Sequence, residues 1–284
     1  MRPDADLPGV DVTRRVTMRV LLLPGLAVLL FAFLYPVALT LAAPPDGDPA
    51  TVARETGTLL SDPHLLPVIA RSIRVAVMTT LICLLLGFPT AYLVSRAPAR
   101  WSGKLLALAI FPLMLNTVVR TYGWIAVLGG NGVLSTASQA LGLGRVQLLY
   151  TETAIVLGLV QLFLPLMILS SYSSLSQQDP RLEDAARGLG AGPGRVFRQV
   201  VFPLALPGAL VGCTLVFAGS ITAFTTPQLL GGSRERILST LLYSRVNVSL
   251  DWPSASAVAL VMTVLVLAVA ALSGRLSKRG STTS

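Results

Sequence analysis

Long apolar runs alternate along this chain with short charged ones, at a spacing that suits a bilayer. Six apolar stretches stand out, at residues 20–41, 75–94, 105–128, 154–169, 209–224 and 255–272. A hydrocarbon core about 30 Å thick is crossed by a helix of roughly 20 apolar residues. Each stretch therefore predicts a helix, because in lipid a helix satisfies its own backbone groups. The first follows Arg14, Arg15 and Arg19 and carries Pro24 and Pro36 near its ends. Ala42-Ala43-Pro44 offers a rival reading, a cleavable signal peptide. The run is longer than the roughly 7–15 apolar residues of such a peptide, and further spans follow, so an uncleaved first helix is expected. The third stretch is interrupted by Asn116, Arg120 and Gly123. Gly129-Gly130-Asn131-Gly132 marks a turn, followed by a moderately amphipathic piece over 133–143.

The expected fold class is all-α. It is a polytopic membrane protein with six transmembrane helices over 20–274, between a tail at 1–19 and a tail at 275–284.

Composition sharpens this picture. The chain is 53% hydrophobic and only 12% charged, where a soluble domain carries about 25% charged residues. Mean hydropathy is +0.72. A net charge of +9 would in a soluble protein raise nucleic acid as a partner. Here the basic residues lie between apolar runs, so orientation in the membrane accounts for them and no nucleic-acid partner is expected. With both termini inside, the inner segments hold Arg14, Arg15 and Arg19, then Arg96, Arg100 and Lys104, then Arg181, Arg187, Arg195 and Arg198, then Arg275, Lys278 and Arg279. Together with Arg2 these outnumber the outer basic residues about two to one, which supports cytoplasmic termini. Cys83 and Cys213 each fall inside an apolar run, far apart, and packing is their expected role. His64 is a lone loop histidine with no assigned role.

One charged stretch between the fourth and fifth runs is too ordered to be a loose loop. Asp179 before Pro180 is a favourable helix start, and Glu183 and Asp184 lie at the positive end of that helix. Leu182, Ala185, Ala186 and Leu189 recur at helical spacing and predict one apolar stripe. Gly188, Gly190, Gly192 and Gly194 permit a sharp bend. A second short helix is expected from Pro193, with Val196, Phe197, Val200 and Val201 on one face, brought to the membrane by Pro203 and Pro207. An amphipathic hairpin lying on the bilayer is one reading. The small alanines favour another, close approach to a partner protein.

Residues 179–203 also resemble the EAA loop of binding-protein-dependent ABC importer permeases. That pattern runs Glu-Ala-Ala, three residues, Gly, nine residues, Ile, one residue, Leu-Pro. Asp184-Ala185-Ala186, Gly190, Val200 and Phe202-Pro203 keep its spacing, with Asp for Glu, Val for Ile and Phe for Leu. Glu183 just before supplies a second acid. The resemblance implies the type I importer permease fold in a bacterial inner membrane. It also implies a coupling role toward an ATPase for Glu183, Asp184, Ala185, Ala186, Gly190, Val200 and Pro203. The implied partners are two ATP-binding-cassette ATPase subunits, a second permease subunit, an extracytoplasmic solute-binding protein and the lipid bilayer. Arg120-Thr121-Tyr122-Gly123-Trp124 with Asn131-Gly132, the stretch from Phe224 to Gly232, and Asp251-Trp252-Pro253 resemble the spermidine/putrescine-type permeases of that family. They imply a polyamine, or a related small amine or organic ion, as cargo; the iron-uptake branch of the same family is the alternative.

No Gly-x-x-x-x-Gly-Lys-Ser/Thr phosphate loop occurs, so ATP is expected on a partner subunit and no cofactor or metal in this chain. No catalytic cluster is visible, and no enzymatic activity is expected. A secondary transporter working without an ATPase is the rival from another class, but it would need ionisable groups at depth. Candidate pathway residues are Asn116, Arg120, Gln161, Ser220, Thr222 and Thr225. For Arg120 the competing role is an outer-interface anchor that snorkels to water beside Tyr122 and Trp124. For the others it is helix–helix packing. Arg234, Glu235 and Arg236 lie in an outer segment where a soluble binding protein could touch them.

Overall fold

A computed structural model describes residues 49–281 except 64, 143 and 180, together with 24–28, 30–32, 34 and 35. Among the described residues every regular element is helical. In chain order these are α1 (Pro49–Ser61), α2 (Leu66–Ser95), α3 (Ala99–Met114), α4 (Thr117–Leu128), α5 (Val133–Ala140), α6 (Glu152–Ser176), α7 (Arg181–Gly188), α8 (Pro193–Val196), α9 (Phe202–Thr222), α10 (Thr225–Gly231), α11 (Leu238–Asn247) and α12 (Trp252–Ser281). A single wide π-helical turn, Phe197–Val201, joins α8 to α9. Those residues of the first apolar stretch that are described are helical. The rest of that stretch, the tail 1–19 and His64 lie outside the described residues.

Among the described residues, four helices are long and apolar enough to cross a membrane: α2, α6, the continuous run Pro193–Thr222, and α12. Each extends beyond the apolar stretch that announces it. Helix α2 starts nine residues before Val75, and α6 runs past Leu169 to Ser176, because charged and polar ends can stand in the headgroup region.

The third span departs from expectation. Instead of one helix over 105–128, the chain bends by 90° between α3 and the α4–α5 segment. Pro112 lies in the last turn of α3, and Leu115 and Asn116 turn extended, with ψ of 137° and 130°. Asn116 then caps α4, its Oδ1 accepting from the Val118 N–H at 2.8 Å. Arg120 reaches back across the break and donates from Nη1 to the Pro112 carbonyl at 3.1 Å. The two helix ends exposed by the break thus each gain a polar partner.

Helices α2, α6 and α9 form the centre. Val75, Cys83, Ile155, Leu159, Met167 and Val216 are buried between them. Lipid tails are as apolar as leucine, so membrane helices associate through close packing of small residues. Gly208 and Gly212 supply this on α9. A Cβ at Gly208 would meet the Ser170 carbonyl of α6 at 2.7 Å, and one at Gly212 would strike Ser170 and Met167. Helix α12 closes the other side of α9, with Thr214 and Ser273 hydroxyls 2.8 Å apart, and packs Ala257 and Val258 against Leu59 of α1. Leu81, Leu85 and Leu93 of α2 point outward, as lipid-facing residues should. Both cysteines are free thiols, Cys83 buried and donating toward the Val160 carbonyl.

Candidate functional site

At one end of this core, α7 stands on a base of aromatic and charged side chains. Asp179 starts it, its Oδ1 accepting from the Arg181 N–H at 2.9 Å. Gly190 ends it at φ +83°, with its N–H on the Arg187 carbonyl and the Ala191 N–H on the Ala186 carbonyl. That pair of bonds is a Schellman cap, and its left-handed residue disfavours any Cβ. A Cβ there would have nothing within 4 Å, so backbone conformation and not space selects glycine.

The expected apolar stripe divides into two faces. Ala186 turns inward and packs with Ala191, Val196 and Phe197 against Phe88 and Tyr92 of α2. Leu182 and Ala185 face out, and Leu189, just past the helix end, is 90% exposed. The expected second amphipathic helix is likewise not separate. Residues 193–196 run straight into α9 through the wide turn, where the Phe202 N–H donates to the Phe197 carbonyl five residues back. Pro203 has no N–H to donate, and widening by one residue before it keeps the helix continuous. Val200 is half-buried in that turn and Pro203 is exposed after it.

The two acids of the stretch are placed differently. Asp184 is exposed and pairs loosely with Arg187 at 3.5 Å. Glu183 is only 4% exposed. Its Oε2 accepts from the Tyr92 hydroxyl at 3.0 Å and from Arg187 Nη2 at 3.3 Å. Its Oε1 lies 2.7 Å from Arg96 Nε and 2.6 Å from Arg96 Nη2. Glu183 therefore faces α2 instead of a surface partner, as Ala186 does and as Asp184 and Ala185 do not. Arg96, at the C-cap of α2, also approaches the Leu175 carbonyl at the end of α6 at 3.5 Å, and a cation is favoured at both helix ends. Nothing in the sequence spacing pairs Arg96 or Tyr92 with Glu183, since they lie about 90 residues away.

The pathway candidates divide as well. Thr222 and Thr225 come together at the end of α9 and the start of α10. With Thr117, Phe163, Gly219 and Phe224 they line a cavity of about 280 Å³. Gln161 stands one residue from this lining and accepts from the Trp124 indole N–H, tying α6 to α4. Ser220 is buried and donates to the Val216 carbonyl of its own helix at 2.7 Å. Asn116 serves as the α4 cap described above. Arg120 is 8% exposed, which overturns the snorkelling-anchor expectation: its charge is directed to the broken end of α3. The aromatic part of the cavity wall, Phe163 and Phe224, escapes sequence reasoning because isolated aromatics in apolar runs look like packing.

A second charged cluster holds the opposite end. Arg71 of α2 pairs with Glu152 at 3.1 Å and with Glu235 at 2.9 Å, and Arg74 Nε donates to Glu152 at 2.9 Å. Glu152 is the first residue of α6. Glu235 is thereby turned toward α2, while Arg234 and Arg236 stay exposed. Among the described residues no three His, Cys, Asp or Glu side chains group as a metal site would require.

Known proteins are similar to this chain. Residues 11–281 match the family described as binding-protein-dependent transport system inner membrane component. The spermidine/putrescine transport system permease protein PotB of Haemophilus influenzae is 35% identical over 246 residues, covering 86% of this chain and 84% of that protein. The protein of the same name from Escherichia coli is 32% identical, covering 73% and 76%. The molybdenum transport system permease protein ModB of Mycobacterium tuberculosis is 31% identical, covering 75% and 79%. Among solved structures, a bacterial alginate ABC transporter in complex with a pentasaccharide-bound periplasmic protein has a chain that superposes with a TM-score of 0.71 at 17% identity, covering 95% of this chain and 96% of that one. A chain of the inward-facing MetNI methionine ABC transporter superposes with a TM-score of 0.58 at 16% identity, covering 76% and 95%.

Proposed function

This chain belongs to the family of binding-protein-dependent transport system inner membrane components, and from that premise we propose how it is driven and what it carries. It is a multi-pass inner-membrane permease subunit of an ABC importer. In our reading it pairs with a second permease to enclose a path, takes its energy from two ATPase subunits inside, and receives cargo from a solute-binding protein outside. Helix α7 is the coupling helix. The observation that carries this is an outward face of Leu182, Ala185 and Leu189 on a helix whose inner face is pinned, at the EAA spacing from Asp184 to Pro203. An exposed leucine on a rigidly held helix suits a groove in a partner, because little side-chain freedom remains to be lost on docking.

The permease fold spans 20–274 between cytoplasmic tails, with six transmembrane helices. Alternating access follows from rigid-body rocking of helices attached to a displaced coupling helix. The cargo is a polyamine, a reading supported by the names of the 32–35% identical relatives. The threonine hydroxyls and aromatic faces of the α9–α10 cavity are the groups this chain offers to an amine, through hydrogen bonds and cation–π contact. Asn116, Arg120, Gln161 and Ser220 support the walls of that path.

The test is reconstitution of the permease pair in liposomes with binding protein and internal ATP. Uptake of labelled spermidine and putrescine is expected to require the ATPase. Uptake that persists without the ATPase would overturn the importer reading. ATP-dependent uptake of molybdate or iron in place of polyamine would overturn the cargo and leave the mechanism standing.

A further inference from the structure

Helix α7 is joined through the backbone to α6 before it and to α8–α9 after it. To α2 it has no such short connection: the chain between them runs through α3, α4, α5 and α6. Yet the three helices packed at the centre of the fold are α2, α6 and α9. If α7 moves under force from an ATPase, α6 and α9 follow through covalent bonds, and α2 follows only through side chains.

Those side chains converge on one carboxylate. Glu183 is buried under α7, with the Tyr92 hydroxyl and Arg96 guanidinium of α2 on it at 3.0 and 2.7 Å, and Arg187 of its own helix closing the remaining side at 3.3 Å. Tyr92 is at the same time held edge-on by Phe197, with ring centroids 5.5 Å apart, and Phe197 meets Phe88 at 5.9 Å. The polar contact thus sits against an apolar wall that excludes water, which strengthens charge-assisted bonds. Two arginines and a tyrosine saturate a carboxylate far better than a surface pair would. Arg96 adds the Leu175 carbonyl of α6, so one guanidinium touches α7 and the ends of both neighbouring membrane helices.

We infer that Glu183 is a positioning residue for energy coupling: with Tyr92 and Arg96 it tethers the coupling helix to α2, so that α2, α6 and α9 respond to the ATPase as one lever. The inference rests on the coupling role proposed for α7. It assigns Glu183 a duty opposite to that of Asp184 beside it: Glu183 works inside the permease, while Asp184 is free to meet a partner.

The experiment uses the assembled transporter in liposomes, with binding protein outside and ATP inside. Three quantities are read: recovery of ATPase subunits with the permease, basal ATP hydrolysis, and the stimulation of hydrolysis by loaded binding protein. Stimulation is a signal that must cross the membrane through the helices. Glu183→Ala and Arg96→Met are each expected to lower stimulation about tenfold while recovery and basal hydrolysis stay within about twofold. The double variant is expected to lose no more than the worse single one, as partners in one contact do. Full stimulation in either single variant, or additive losses in the double, would overturn the inference. If Glu183→Ala does not assemble, Tyr92→Phe and Arg96→Lys each remove part of the contact and keep the charge on Glu183. Graded loss of stimulation with normal assembly supports the tether, and unchanged stimulation in both overturns it. Failure of the unaltered chain to recover ATPase would instead sink the coupling reading on which the tether depends.

Discussion

Ion pairs hold α2 at both ends, to α7 at one and to α6 at the other, and the two ends are built on different terms. At the α7 end, the inner one in the proposed topology, one buried carboxylate, Glu183, is shared by Arg96, Arg187 and Tyr92. At the α6 end, the outer one, two carboxylates, Glu152 and Glu235, are shared by Arg71 and Arg74, with side chains about a quarter exposed and Arg74 60% exposed. Removing one partner of a buried pair strands the other without water, whereas a wet cluster re-solvates what remains. The difference lies in the acids, the Glu183 side chain being 6% exposed against about a quarter for Glu152 and Glu235, so the Glu183 end is the tighter joint and the other the looser one.

The largest test of this contrast is Glu183→Ala, expected to destabilise the detergent-solubilised permease by about 2 kcal/mol because Arg96, with its side chain 21% exposed, and the Tyr92 hydroxyl lose the charged acceptor they share. Thermal unfolding checks it, and a loss below about 1 kcal/mol would erase the distinction between the ends. Arg120→Met probes a third polar contact, between the two ends of the fold. It should lower stability by about 2 kcal/mol by removing the charged donor on the Pro112 carbonyl, which keeps only the Leu115 N–H at 3.4 Å, and should loosen the 90° break, visible as faster amide exchange at residues 113–117.

Leu189→Asp sharpens the comparison from the partner's side. Leu189 is 90% exposed, so unfolding should be unmoved, while ATPase recovery drops about tenfold, roughly 1.4 kcal/mol of binding. At the outer end, Glu152→Gln should destabilise by less than about 1 kcal/mol, and a value near that of Glu183→Ala would show the outer cluster to be a joint as well. The smallest effect is that of salt. Raising ionic strength to about 1 M shortens the screening length to roughly 3 Å; the outer cluster should weaken by a few tenths of a kcal/mol, seen as added proteolysis at residues 232–236, while the inner end is unchanged.

Much of this was legible from residue types. The four membrane-length helices, the position of the coupling stretch, and the glycine that ends α7 all follow from local pattern. Other features were present in the sequence but ambiguous. Gly208 and Gly212 stand four apart in an apolar run, the spacing of close helix packing, but glycines in such runs do not say which neighbour they admit. Asn116 and Arg120 are pathway candidates because polar groups at depth are usually functional. That both also serve a break between two helices is revealed only by the 90° bend.

The sequence by itself determined the class of the protein, the four membrane-length helices seen among the described residues and the register of the 179–203 stretch. These depend on hydropathy over some twenty residues or on spacing within one loop, which the chain carries locally. Only the tertiary structure decided which of two adjacent acids meets the outside. Glu183 and Asp184 are neighbours of similar chemistry, and a helix turns about 100° between them. One is thereby directed to α2, where Tyr92 and Arg96 wait, and the other to solvent. That outcome depends on where a helix some ninety residues earlier in the chain comes to rest, and no local pattern encodes it.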